Sequence, residues 1–223
     1  MPDGKEVELK YVLESSDDAS KLREELGSPE DRIRQYNFFF DTPGRTLLAV
    51  RAALRLRIER PQVAEPRAIL TCKFSERVEG SLAVREEIES RLDLDEVMDA
   101  STSGSFSLVL GHDAAKPILE AAGKALGEGG LGSQGLVVVG GFSTMREVYA
   151  APGHTGGELC LDTVAYPVGE EHVEVEMEIA AESEAQACRE AVEDLLTRVG
   201  VKFSPGTESK YARLRRLMAP GGD

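Results

Sequence analysis

The chain has 223 residues, 41% hydrophobic and 30% charged with both signs interspersed, which suits one globular domain over 1–223 and excludes wholesale disorder. Lys and Arg number 26 against 40 Asp and Glu, a net charge of −14; such a chain is a poor general binder of nucleic acid or anionic membrane, so an anion site must gather basic groups locally. No apolar run reaches bilayer length, the start MPDGKEVELK lacks a secretory apolar stretch, and Cys72, Cys160 and Cys188 have neither an even count nor CxxC spacing, so reduced thiols and a cytoplasmic location are expected.

In chain order, strands are expected at 5–13, 35–41, 53–60, 67–75, 82–92, 136–142, 144–150, 158–164 and 172–180. Helices are expected at 17–26, 113–126, 183–199 and 207–218. The first helix is predicted to start from Ser16 or Asp17 and to stop at Gly27. The third runs from a Ser cap to Gly200, with Ala187, Ala191, Val192, Leu195, Leu196 and Val199 on one face. The stretch Asp99–Ser107 reads as a loop, and so does GEGGLGSQG. The latter places Gly130, Gly132 and Gly135 in GxGxxG spacing, but after a helix and before a strand, the reverse of a dinucleotide fingerprint. His112, His154 and His172 match no metal spacing and read as surface or loop residues. Strands dominate, with helices between and after them, which favours an antiparallel α+β architecture.

One pattern recurs along the strands. In KEVELKYVL, Glu6, Glu8 and Lys10 alternate with Val7, Leu9 and Tyr11. Arg55, Arg57 and Glu59 share one side of ALRLRIE; Thr71 and Lys73 share one side of AILTCKF. Arg85, Glu87, Glu89 and Arg91 lie together in LAVREEIESRL; Glu158, Cys160 and Asp162 in GELCLDTV; Glu174, Glu176 and Glu178 in HVEVEMEI. For any single strand the ordinary reading is a solvated sheet face. Six charged rows built of Glu, Arg and Lys, with four amphipathic helices available to cover the apolar sides, fit a closed sheet with its charged face inside. An interior of both signs must hold water, ions or a charged ligand. Arg and Lys clamp polyanions, and Glu rows suit hard divalent cations. Together they point to a metal-bound polyphosphate.

The ordered motifs carry a resemblance. EVELK resembles the ExExK signature of the CYTH superfamily, the triphosphate tunnel metalloenzymes. NFFFDTP, ALRLR, LTCKF, REEIE, STMREVY, LCLDTVAYPVG, VEVEME and ESKYARL follow in the family's order from Glu6 to about Leu217. The Gly-rich stretch 127–135 finds no place in that pattern. The chain looks most like plant-type tripolyphosphatases and is also similar to thiamine triphosphatases. The resemblance implies an eight-stranded antiparallel β-tunnel with a charged lumen and helices outside, hydrolysing a triphosphate with Mg²⁺ or Mn²⁺. It implies that Lys10, Arg55, Arg57, Lys73, Arg85, Arg146 and Lys210 bind phosphate. Glu6, Glu8, Glu87, Glu89, Asp162, Glu174 and Glu176 would hold metal, with Glu6, Glu8, Lys10 and Lys73 at the catalytic centre. Glu178 continues the Glu row toward the mouth.

Hydrolysis of inorganic tripolyphosphate to pyrophosphate and phosphate is the expected function, with thiamine triphosphatase the alternative. The chain has no Trp and only 5% aromatics, so no ring-binding cluster is expected, which also disfavours ATP cyclisation. The acidic charge disfavours RNA 5′-triphosphate removal. A non-catalytic polyphosphate- or nucleotide-binding module is disfavoured because every acidic position of the metal set is present. A small polyphosphate is the expected partner, with no nucleic acid, no membrane and a monomeric chain.

Overall fold

The structure, a computed structural model, describes residues 4–103, 110–111, 113–126, 135–153 and 157–219. Its frame is a single antiparallel sheet that closes on itself. The strands are β1 (Lys5–Leu13), β2 (Asp31–Asp41), β3 (Ala53–Pro61), β4 (Arg67–Glu79), β5 (Leu82–Leu92), β6 (Val137–Ala150), β7 (Glu158–Ala165) and β8 (Glu171–Glu178). They pair in the order β5-β4-β3-β2-β6-β7-β8-β1, and β1 then pairs back to β5. Closure leaves eight strands around a tunnel and removes the free edges of an open sheet. A short β9 (Phe203–Pro205) extends the β5 side of β1, with Leu13 opposite Phe203.

Register sets opposite charges side by side inside. Glu6 lies opposite Arg85, Lys10 opposite Glu176, Lys73 opposite Glu87, and Arg146 opposite Asp162. Such cross-strand pairs favour this register over one slipped by a residue, which would turn every charge into the apolar layer.

The apolar layer lies outside the sheet in two patches. Helices α1 (Ser16–Leu26) and α5 (Ala185–Val199) cover β1, β7 and β8. There Leu22, Val192, Leu195 and Leu196 meet Leu9, Tyr11, Leu161, Val175 and Met177. Helices α2 (Thr46–Ala49), α3 (Leu94–Ser103) and α4 (Lys116–Ala125) cover β3 and β4. Leu47, Val97, Ile118 and Ala122 meet Leu54, Leu56, Leu70 and Cys72 there. The last helix, α6 (Lys210–Leu217), packs Leu214 against Phe39, Phe142, Val164 and Tyr166 at one end of the tunnel.

Several expectations need correction. The two strands expected at 136–142 and 144–150 are one, β6. It stays continuous because it pairs with β2 from Val137 to Val148, apart from an irregularity between Phe39 and Phe40, and with β7 from Ser143 to Ala150. Strand β2 starts at Asp31, four residues before the expected position, because the same partner reaches it. Helices α2 and α3 were not foreseen. The expected loop Asp99–Ser107 is helical to Ser103, and its remainder lies outside the described residues. Its start is fixed by Asp93, whose Oδ1 accepts from the amides of Asp95 and Glu96 at 3.0 and 3.1 Å. The cap of α1 is Ser15, whose Oγ accepts from the Asp18 amide at 3.1 Å, while Gly27 ends the helix at φ 74°. On α5, Cys188 is buried with Val192, Leu195 and Leu196, in place of the expected Ala187 and Ala191. Of the GxGxxG glycines, Gly130 and Gly132 lie outside the described residues.

Candidate active site

A cavity of about 420 Å³ runs inside the barrel. All seven basic residues singled out in the sequence line it: Lys10, Arg55, Arg57, Lys73, Arg85, Arg146 and Lys210. Six of them come from five different strands, and Lys210 comes from the first turn of α6. Ser209 caps that helix, accepting from the Ala212 amide at 3.2 Å, and so aims Lys210 inward. Of the acidic set, Glu6, Glu8, Asp162 and Glu176 line the cavity. Glu87 and Glu174 are buried, each in contact with a lining lysine. Glu89 stands apart: it is exposed, outside the cavity wall, and has no ion pair among the described residues.

The side chains form two ion-pair networks that meet at Glu8. In the first, Lys73 Nζ donates to Glu6 Oε2 at 2.8 Å and pairs with Glu87 at 2.6 Å. Arg85 joins Glu6 at 3.3 Å, Glu8 at 2.5 Å and Glu76 at 3.1 Å. In the second, Lys10 lies 3.2 Å from both Glu8 and Glu176. Arg146 grips Asp162 with two donors at 2.8 and 2.7 Å and reaches Glu176 at 2.7 Å. Lys210 donates to Asp162 at 2.8 Å and Glu176 at 2.6 Å, and lies 3.0 Å from Glu174.

These pairs decide the charge states. Burial opposes the Glu176 carboxylate, but Lys210, Lys10 and Arg146 outweigh it and hold the group well below the usual range. Burial likewise opposes Lys10, and Glu8, Glu176 and Glu174 hold its ammonium above the ordinary value. Arg55 is the opposite case. Burial, with Arg57 beside it, lowers its guanidinium to about 10, because its carboxylate partner Glu87 is 3.9 Å away. The Nε atom of Arg55 is buried with no acceptor among the described residues, while those of Arg57 and Arg85 lie 2.9 Å from Glu59 and 3.3 Å from Glu6 without hydrogen-bond geometry. A buried donor without an acceptor calls for an oxygen-rich anion in the lumen.

Four further contributors stand outside the predicted site set, though Glu59, Glu178 and Cys160 already shared the parity of the charged rows. Glu59, 2% exposed, lies 2.9 Å from Arg57 Nε, accepts from Gln35 at 3.0 Å and pairs with Arg67, so it anchors Arg57 from behind. Its parity with Arg57 was visible in the sequence, but its two further partners were not. His172 is a buried residue rather than a surface one, with Nε2 2.9 Å from Glu174 Oε1; His112 and His154 lie outside the described residues. Glu178 and Cys160 both line the cavity. Burial, with Asp162, Glu176 and Glu158 nearby, pushes the Cys160 thiol up to about 12, so it remains protonated and unreactive at neutral pH.

Aromatic side chains do gather at one end of the tunnel, packed against one another. Phe39 stacks on Tyr211 with centroids 4.1 Å apart and planes at 9°, and Phe142 lies between Phe39 and Tyr166 at 5.6 and 5.5 Å. These rings come from β2, β6, α6 and the end of β7, too far apart in the chain for composition to reveal them.

The donor set suits a hard divalent cation in its chemistry, being all carboxylate oxygen. No three acidic, His or Cys side chains among the described residues converge as a preformed cage, because lysines and arginines already hold most of these carboxylates. Like charge is nonetheless concentrated at one place. Burial raises the Glu178 carboxyl, and Glu6, Glu87 and Glu8 raise it further, which is the crowding a cation would relieve.

With this geometry in view, the likeness to known proteins has a physical basis. The family model of the CYTH domain matches residues 4–211. A Hippeastrum protein described as a putative adenylyl cyclase with a dominant triphosphatase activity shares the fold, at TM-score 0.77 and 24% identity over 98% of this chain and 99% of that one. A putative adenylate cyclase from Bacillus halodurans superposes at TM-score 0.64 with 25% identity, over 94% and 98% of the two chains. A Pyrococcus horikoshii protein does so at 0.61 with 19% identity, over 94% and 99%. A search of curated proteins finds no match. The closed barrel, its inward rows of Glu, Lys and Arg, and the match over nearly the whole length establish that this chain belongs to the CYTH family.

Proposed function

We propose that the tunnel hydrolyses inorganic tripolyphosphate to pyrophosphate and phosphate with the help of Mg²⁺ or Mn²⁺. The observation that carries this reading is the convergence of seven basic side chains on one cavity, among them Arg55, whose buried Nε has no acceptor among the described residues. Arg55 and Arg57 are the least compensated by carboxylates inside the cavity and grip phosphate oxygens first. Lys10, Lys73, Arg85, Arg146 and Lys210 exchange part of their pairing with Glu and Asp for pairing with the substrate. No covalent nucleophile is required, since alignment and charge neutralisation carry phosphoryl transfer. Water attacks the terminal phosphorus, the bridging P–O bond breaks, and pyrophosphate leaves with its electrons.

The charge balance supports a metal requirement. Apart from Arg51 and Arg215 at the mouth, seven basic and seven acidic side chains line the cavity, leaving no net positive charge against the several negative charges a tripolyphosphate brings. Glu6, Glu8 and Glu178, with Asp162 and Glu176 on the neighbouring β7 and β8, are the residues that would hold divalent ions. When bound, such an ion neutralises phosphate oxygens and lowers the pKa of a coordinated water.

The test is phosphorus NMR of tripolyphosphate incubated with the protein and Mg²⁺. Phosphate and pyrophosphate appearing in equal amounts support the proposal. An unchanged tripolyphosphate spectrum, with binding seen by calorimetry, favours a non-catalytic polyphosphate-binding module.

A further inference from the structure

The tunnel has a second set of basic residues at its mouth that the triphosphate reading leaves unused. Helix α2 is flanked by Arg45 at φ 57° and Arg51 at φ 58°, the two non-glycine residues with left-handed backbone among those described. Side chains adopt this conformation only where the surroundings impose it. Here Asp41, 1% exposed, imposes it: Oδ1 accepts from the amides of Thr42 at 2.7 Å and Leu47 at 2.9 Å, and Oδ2 from Leu48 at 3.0 Å. Leu47 is buried in the adjacent core, and the Arg51 and Ala52 amides bond back to Leu48 and Leu47 at 3.0 and 2.9 Å. The loop is thus a rigid mount that presents both arginines.

Arg51 lines the cavity, as does Arg215 from α6. Arg45 stands beside the Tyr211 phenol. Every basic residue deeper in the tunnel has a carboxylate within 4 Å. Arg45, Arg51 and Arg215 have none among the described residues, in a chain of net charge −14. Arg45 and Arg51 on this mount, with Arg215 from α6 at the same Tyr211 ring, are uncompensated cations at the rim of an anion-binding cavity and make a site for more anion.

We propose that Arg45, Arg51 and Arg215 form a basic collar that takes phosphoryl groups beyond the third, so that the chain accepts linear polyphosphates longer than tripolyphosphate. The proposal rests on the polyphosphate reading of the tunnel. It assigns the mouth to an anionic chain and not to a nucleobase or thiazolium. Phe39 covers one face of the Tyr211 ring, and the Arg215 guanidinium, 5.4 Å from the centroid, covers the other. Phe142 is engaged with both Phe39 and Tyr166. The mouth offers exposed guanidinium groups, whose planar donors match phosphate oxygens, in place of an open ring face.

The test compares the wild type with an Arg51→Gln/Arg215→Gln double variant, supplied with Mg²⁺, on tripolyphosphate, tetrapolyphosphate and ATP. In the variant, kcat/KM for tripolyphosphate stays within about twofold, and for tetrapolyphosphate it falls about tenfold, the worth of two solvent-screened ion pairs. ATP turnover, slow in both, is unchanged. An unaltered ratio of tetrapolyphosphate to tripolyphosphate overturns the collar, as does a loss on ATP that matches the loss on tetrapolyphosphate. If the wild type releases no phosphate from tripolyphosphate, the hydrolase reading has failed separately. Calorimetric binding of tetrapolyphosphate then decides the collar: weaker binding by the double variant supports it, and equal binding overturns it.

Discussion

Replacing Gly206 with Ala tests how tightly the tunnel fixes Lys10. A Cβ at position 206 would stand 2.4 Å from Lys10 Cγ, 2.8 Å from Cδ and 3.1 Å from Cβ. Carbon atoms settle at about 3.5–4.0 Å, so the Lys10 stem must move by roughly 1 Å. The backbone cannot yield easily, because the Gly206 amide donates to the Lys10 carbonyl at 2.9 Å. The ammonium sits 3.2 Å from both Glu8 and Glu176, so a shift of that size breaks at least one pairing and withdraws the charge from the substrate. Misplacement by about 1 Å costs on the order of a hundredfold in rate, while overpacking costs about 1–3 kcal/mol of stability. Gly206→Ala should therefore lower kcat/KM on tripolyphosphate by about a hundredfold and leave a cooperative melting transition. In a Lys10→Ala background most of the added loss should vanish, because the clashing atoms are gone. Near-wild-type activity of the single variant, or an equal added loss in the Lys10→Ala background, would refute the reasoning.

Other expectations follow from the same geometry. EDTA should abolish turnover and Mg²⁺ or Mn²⁺ restore it, and full activity in metal-free buffer would contradict the charge argument. Arg57→Ala should weaken substrate handling far more than Arg60→Ala, since Arg57 lines the cavity while Arg60 is exposed and touches Met98 Sδ at 3.8 Å; equal losses would remove the assigned face. Glu8→Gln should cost activity and also about 1–3 kcal/mol of stability, because buried Arg85 and Lys10 each lose a charged partner; an unchanged melting temperature would count against the network. Glu174 and Glu176 are held below their ordinary value of 4.5. Their contribution to stability is therefore complete above that pH and lost as the pH falls below it through the depressed values. Urea unfolding across that range should give a steeper acid loss for the wild type than for Glu176→Gln.

Parity made most of the site legible. The alternation of Glu6, Glu8 and Lys10 with Val7, Leu9 and Tyr11 states which side is wet, and repeating it on several strands makes a closed sheet the economical solution. What alternation cannot state is where a strand leaves the lumen. Glu89 has the parity of Glu87 and lies near enough to Arg55 to act on its guanidinium, yet it is exposed and outside the cavity wall. Nor can it state what lies across the barrel. Glu59 matters because Gln35 and Arg67 meet it, and the aromatic mouth exists because Phe39 and Tyr211 are brought together from opposite ends of the chain. Short helix α2 escaped detection because its start is fixed by Asp41, five residues upstream, and not by a side chain at the usual capping position.

The most direct test of the account is kcat/KM for tripolyphosphate, pyrophosphate, ATP and thiamine triphosphate, measured side by side at saturating Mg²⁺. Pyrophosphate leaves part of the row from Lys10 to Lys210 unfilled, and ATP and thiamine triphosphate must pass a ring group beyond a mouth whose aromatic faces are covered. The account predicts tripolyphosphate hydrolysed far faster than the other three. A preference for thiamine triphosphate, or for ATP with release of cyclic AMP, would contradict it.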